Sequence, residues 1–186
     1  MVEKMKLKWI GAWRDQGFYV REGLFDHETC DAVVAAADNL PTFKDGSLTP
    51  FMHPHKVDDI FLDMMRNELL VAIMSELITG SFTGEISGLQ TQFFFGRPGT
   101  IGFNKHQDNF YAQAEHGNYA SAWVALTDTY PENGGLIVYP GSHKEGILET
   151  QETLTDNTFG QDPNAVAKEV ICPERYRPVD VVAPKG

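Results

Sequence analysis

The sequence predicts a mainly β domain with helices packed on its outside, and two observations carry that expectation. Up to Gly80, apolar residues recur at helical spacing; beyond it the chain breaks into short β-branched and aromatic runs cut by glycine, proline and asparagine. Several short strands punctuated in this way argue for an antiparallel sandwich or barrel.

The elements follow in order. A short strand is expected at 18–20, then a helix at 27–39, rich in alanine and valine and capped by Asp26. A longer helix begins near Val57 or Asp58 and stops at Gly80. Val57, Phe61, Met64, Met65, Ile73 and Leu77 mark its apolar face, and Asp58, Asp59 and Asp63 suit its positive N-terminal end. Strands are expected at 90–95, 119–127, 136–139, 167–171 and 179–182. Between them stand the turns Gly96-Arg97-Pro98-Gly99, Pro131-Glu132-Asn133-Gly134-Gly135 and Pro140-Gly141-Ser142, while 41–54 and 150–164 read as loops.

The whole chain, residues 1–186, is expected to form a single domain with a sizeable core. Hydrophobic residues at 42% and charged residues at 22% are globular values, and no apolar run approaches the roughly 18 residues of a membrane span. After the first lysines, residues 9–16 are polar where a secretory signal needs an apolar centre, so a cytoplasmic protein is expected. Cys30 and Cys172 lie far apart, which fits a reducing compartment and excludes a four-thiolate metal site. A formal charge of -11 would repel polyanions, so no nucleic-acid partner and no membrane partner is expected.

One short run carries chemistry. In Asn104-Lys105-His106-Gln107-Asp108 the H-x-D triplet, on or beside a strand, puts His106 and Asp108 on one face because the side-chain period is two. A neutral imidazole and a carboxylate suit a divalent metal. With one more histidine they make the facial triad that leaves positions open on iron(II) for a co-substrate and oxygen. The triplet alone is weak, since roughly 0.4 such triplets arise by chance in a chain of this composition. Its surroundings decide the matter.

Those surroundings resemble the phytanoyl-CoA dioxygenase (PhyH) family of iron(II)- and 2-oxoglutarate-dependent oxygenases. The likeness runs from about Asp15 to the C-terminus. It includes Gly17-Phe18-Tyr19-Val20, Leu24-Phe25-Asp26, His53-Pro54, Gly96-Arg97-Pro98-Gly99 and His106-Gln107-Asp108-Asn109. Trp123-Val124-Ala125-Leu126, Glu132-Asn133-Gly134-Gly135-Leu136 and Pro140-Gly141-Ser142-His143-Lys144 continue it in the family's order and near its spacing.

The resemblance implies a double-stranded β-helix, a cupin-like jelly roll, in which His106 and Asp108 bind iron(II). It implies an oxidoreductase that uses 2-oxoglutarate and O2 to hydroxylate a small organic molecule the sequence does not identify. Lys56 matches a lysine that reaches 2-oxoglutarate, and Trp123 one that lines the co-substrate pocket; Gln107 beside the metal joins them. Gln92 matches a position that points toward the active site, and Asn109 and Tyr111, which flank the metal, are expected to line the substrate entrance. His143 reads as a turn residue of the scaffold.

In relatives the segment like 179–186 leads on to a distal histidine that completes the iron triad and an arginine that pairs with 2-oxoglutarate. Neither stands in this sequence, so weakened iron binding, a co-substrate without its charge-assisted anchor and an inactive chain are expected. A truncated jelly roll, lacking its last core strands, is therefore expected. Its unpaired sheet edges favour instability or self-association. Two other readings stay open: a non-catalytic jelly-roll module for binding or oligomerisation, and a metalloenzyme that takes His143 as its third ligand.

Overall fold

The structure is a computed structural model that describes residues 2–96, 98, 102–153 and 168–186, the first seven of these by their backbone. Arg97 and Gly99 of one expected turn, residues 154–164 of one expected loop and Ala167 of one expected strand lie outside the described residues.

Helix α1 (Val2–Gln16) opens the chain where no element was expected. Residues 18–20, expected as a strand, form no ladder. Helix α2 (His27–Ala37) forms as expected, because Asp26 caps it by accepting a 2.7 Å hydrogen bond from the Thr29 amide. A single turn, α3 (Pro41–Lys44), starts on a proline, which suits a helix's first position.

The long helix expected from Val57 or Asp58 to Gly80 is two helices, α4 (Ile60–Met65) and α5 (Glu68–Thr79). Asn67 divides them: its side chain accepts hydrogen bonds from the amides of Leu69 and Leu70, each 3.1 Å, and so starts a new helix inside an uninterrupted apolar pattern. Gly80 ends α5 in the left-handed conformation, φ 75°.

Three antiparallel pairs supply the sheet structure among the described residues: β1 (Phe51–Met52) with β2 (Gln92–Phe93), β3 (Ile137–Val138) with β6 (Val179–Asp180), and β4 (Thr150–Glu152) with β5 (Lys168–Val170). The expected strands at 90–95, 136–139, 167–171 and 179–182 are present in shortened form. Those at β1 and β4 arise in stretches read as loops. Residues 119–127 form no ladder, although Thr129 just beyond them bridges Ala183. Strand formation needs a partner as well as propensity, so β-branched composition alone overstated the sheet. A closed jelly-roll barrel is not seen among the described residues, nor is any helix among them long and apolar enough to cross a membrane.

The core is where these pieces meet. Val33 and Ala37 of α2, Leu40 and Phe61 of α4 are buried together, with Phe51, Phe93, Phe95 and Leu126 packed around them. Phe93 meets Phe61 edge-on at 5.8 Å and Phe95 at 4.8 Å between ring centroids, and Phe43 closes the row on Phe95 at 6.0 Å. Phe93 and Phe95 point inward; Gln92 and Phe94 between them point outward, as the two-residue period requires.

Two substitutions separate core from cap. Leu40 is fully buried, so Leu40→Ala should lower stability by roughly 2–5 kcal/mol. Asn67→Ala should cost about 1 kcal/mol by removing the α5 cap. Urea denaturation reads both as shifts in midpoint at constant slope; an L40A shift no larger than that of N67A would place Leu40 outside the core.

Candidate metal centre

The outer face of β2 leads to the H-x-D run. Phe94 stands edge-on to Phe103 at 5.6 Å, and Phe103 edge-on to the His106 imidazole at 6.0 Å. Gln92, two residues before Phe94 on the same strand face, thus shares the side of the sheet that looks toward His106. The run itself is tied down further along the chain, where the Lys105 carbonyl accepts a 2.8 Å hydrogen bond from the Val170 amide of β5.

Within the run, His106 and Asp108 converge. Nε2 of His106 lies 3.3 Å from Oδ1 of Asp108. The other atom of each side chain is occupied. His106 donates from Nδ1 to the Asn104 carbonyl at 2.7 Å, and Asp108 accepts at Oδ2 from the Ser121 hydroxyl at 2.5 Å. One nitrogen and one oxygen therefore face each other, bridged by the Nε2 proton when the imidazole is charged and open to a cation when it is neutral. Two ligands in neighbouring positions on a divalent ion, each about 2.1 Å from it, lie about 3.0 Å apart, so the observed separation fits such an ion with little movement. Among the described residues no group of three His, Cys, Asp or Glu side chains is disposed to hold a metal, so the pair is a partial site.

The remaining expected residues divide into two sets. Gln107 was expected to contact the co-substrate, but its amide is engaged with the backbone of the following loop. It donates to the Gly146 carbonyl and accepts from the Leu148 amide, both at 2.8 Å, so its amide clamps the run to the following loop. Asn109 was expected to face substrate. Its amide instead closes the short helix α6 (Asn109–Ala112), donating to the Ala114 carbonyl and accepting from the Ala114 amide. Both groups are engaged at both ends.

The others keep exposed side chains. Tyr111, on α6, is 61% exposed and borders the same shallow cleft as His106, together with Phe110, Thr150, Lys168 and Val170. Trp123 is 40% exposed and lies two residues beyond Ser121. Lys56 ends a 3₁₀ turn, Pro54–Lys56, which is fixed to the start of β2 by the His53 amide on the Thr91 carbonyl and by His55 Nδ1 at 2.6 Å from the Thr91 hydroxyl.

His143 does not stand with the pair. Its ring lies against Gly17, where an added Cβ would come within 2.3 Å of Nδ1, and Nε2 donates to the Arg14 carbonyl at the end of α1. His116 donates in turn to the His143 carbonyl. These contacts make His143 a strap between α1 and the Pro140-Gly141-Ser142 turn, as the scaffold reading expected. The third-ligand reading has no support among the described residues. The one feature of the centre that the sequence did not reveal is Ser121, for which no motif offers a signal.

The pair is electrostatically coupled. The Asp108 hydrogen bond raises the His106 pKa above its ordinary 6.5, against the opposing effect of burial, and the Asn104 carbonyl adds to the rise. The His106 hydrogen bond likewise holds Asp108 below its ordinary 3.8; burial opposes this and the Ser121 hydroxyl assists. The signs differ for stability. His106 contributes in full below about 6.5 and loses its contribution as pH rises through its raised folded-state value. Asp108 contributes above about 3.9 and loses its contribution as pH falls through its lowered folded-state value. In chelator-treated protein, the stability gap between wild type and Asp108→Asn should be widest between about pH 4 and 6.5 and narrow on both sides. Urea midpoints across that range measure it; a gap that ignores pH would show that the two side chains do not titrate as a pair.

The model of the phytanoyl-CoA dioxygenase (PhyH) family matches residues 13–186. Over 107 residues the chain is 33% identical to an ectoine dioxygenase of Streptomyces avermitilis, a stretch that is 55% of this chain and 35% of that protein. It is 37% identical over 73 residues to phytanoyl-CoA dioxygenase domain-containing protein 1 of Danio rerio, 38% of this chain and 25% of that one. It is also 28% identical over 95 residues to a phytanoyl-CoA dioxygenase of Arabidopsis thaliana, 50% of this chain and 32% of the relative. The matched stretches thus span a quarter to about a third of these relatives. With the match to the family running through the H-x-D pair and nearly the whole chain, this protein belongs to the phytanoyl-CoA dioxygenase family.

Proposed function

We propose that the chain belongs to an iron(II)- and 2-oxoglutarate-dependent dioxygenase that hydroxylates a small organic molecule, with His106 and Asp108 as protein ligands of the iron. The observation that carries this reading is the 3.3 Å approach of Nε2 and Oδ1, each left available by a hydrogen bond on the opposite atom of its side chain. Family membership supports the oxygenase class, and relatives named ectoine dioxygenase and phytanoyl-CoA dioxygenase support small organic substrates.

Iron(II) with 2-oxoglutarate and O2 supplies, when bound, the oxidising power to hydroxylate an unactivated C–H bond. The residues of this chain have simpler tasks. The Asn104 carbonyl keeps the proton of His106 on Nδ1, which presents the Nε2 lone pair. Lys56, an exposed ammonium on an anchored turn, suits a carboxylate of 2-oxoglutarate. Trp123 offers an exposed aromatic wall. Gln92, exposed on β2, and Tyr111, on the rim of the cleft, are the substrate-facing residues in this reading. Gln107 and Asn109 take no ligand role in this reading, since their amides hold backbone.

A second reading, self-association through the sheet edge, is favoured by one observation. Ile137 and Val182, on and beside the β3–β6 pair, are 59% and 60% exposed. Such apolar side chains on a two-stranded edge invite a partner.

Anaerobic titration with iron(II) separates the two. One equivalent should bind per chain, and His106→Ala or Asp108→Ala should weaken it at least a hundredfold, beyond the 10–100-fold typical of losing a partner outside the ligand shell. Once O2 is admitted, the loaded protein should consume 2-oxoglutarate and O2 and release succinate and CO2, one oxygen atom entering succinate and the other the hydroxylated substrate. If both variants bind iron as wild type does, the assignment of the ligands is wrong.

A further inference from the structure

We infer that Ser121 is a positioning residue for the metal centre, holding Asp108 so that the carboxylate meets the ion through Oδ1 alone. This rests on the proposed function above, and it concerns a residue that neither the H-x-D spacing nor the resemblance marks.

An aspartate near a divalent ion can bind through one oxygen or two, and rotation about its terminal bond exchanges the two atoms at little cost. Here the exchange is blocked. The Ser121 hydroxyl donates to Oδ2 at 2.5 Å, a short, charge-assisted bond, while Oδ1 is the atom that faces Nε2 of His106. The hydroxyl has one proton and commits it to Asp108. Ser121 also comes from a different part of the chain, 13 residues beyond Asp108, so the bond fixes the carboxylate against a separate segment and not within its own turn.

The imidazole is fixed by the same logic. Nδ1 donates to Asn104, and Phe103 packs edge-on against the ring. Each of the two side chains is therefore restrained by one hydrogen bond on its far atom, and together the two bonds aim one nitrogen and one oxygen at a common point. Partners of this kind, once removed, typically lower metal affinity 10–100-fold.

The test compares Ser121→Ala and Ser121→Thr with wild type, using cobalt(II) as a spectroscopic stand-in for iron(II) and iron(II) itself. Ser121→Ala should lose 10–100-fold in affinity for both ions, with a changed cobalt(II) visible spectrum. Ser121→Thr, which keeps the hydroxyl, should recover most of the affinity and the wild-type spectrum. Equal binding and an unchanged spectrum in Ser121→Ala would overturn the inference. Equal losses in both variants would also overturn it, since the position would then matter for packing and not for its hydroxyl.

Comparison with the ligand variants keeps the inference separate from the assignment of the ligands. Unchanged affinity in Ser121→Ala beside lost affinity in His106→Ala refutes the positioning role and leaves the ligands in place.

Discussion

Much of this structure depends on the alternation that starts in β2 and continues through Phe94 and Phe95 beyond it. The two-residue period sends Phe93 and Phe95 into the core, against Phe61 of α4 and Phe43, and sends Gln92 and Phe94 to the opposite side, where Phe94 reaches His106 through Phe103. One short strand thus has the core on one face and the approach to the candidate metal centre on the other. A slip of one residue would exchange the two faces, placing a glutamine in the aromatic cluster and removing the ring that supports Phe103. The pairing Phe51↔Phe93 holds the register from the far side.

The H-x-D run does not share that period. Lys105 bends the chain and Asp108 enters α6 with helical dihedrals, φ -56° and ψ -37°, so His106 and Asp108 converge without lying on one strand face. The Gln107 amide is held by Gly146 and Leu148, contacts that no spacing rule encodes. Local chemistry was legible elsewhere: Asp26 capped α2 and Gly80 stopped α5 as their side chains, or the lack of one, dictate. Asn67 was equally local but was masked, because the apolar period runs through it and a cap inside a periodic stretch looks like an ordinary polar position. Ser121 was not legible at all, since its meaning lies in a contact with Asp108 that no spacing rule encodes.

The sheet was harder for a related reason. Strand propensity says that a segment suits a pleated surface, whereas a ladder also needs a partner, and partners are distant in sequence. Thr150–Glu152 became β4 because Lys168–Val170 lies beside it, although its composition read as loop. Residues 119–127 had the composition and lacked the ladder. What holds that stretch is the tail. The Gly186 amide donates to Ala125, the Gly186 carbonyl accepts from Leu24 and Phe25, and Thr129 exchanges two hydrogen bonds with Ala183. Lys185 adds an ion pair with Asp31 of α2 at 2.5 Å. Residues 183–186 thereby tie the segment carrying Ser121 and Trp123 to the entry of α2, so the partner of Asp108 is indirectly anchored to the helical core.

Charge completes the physical picture of the centre. A chain with formal charge -11 attracts divalent cations over long range and repels a dicarboxylate such as 2-oxoglutarate. The two requirements of the proposed chemistry therefore pull in opposite directions. The metal half is met by the overall field together with one carboxylate, Asp108, whose negative charge is preserved by His106 and Ser121. The anion half has to be met locally, by a cation near enough to act within the roughly 8–10 Å over which salt leaves charges visible to one another. In the proposed reading that cation is Lys56, whose turn is bound to the start of β2 through Thr91, one residue from Gln92. A local cation of this kind would offset the repulsion where the co-substrate would lie and leave the cation-attracting field of the remainder intact.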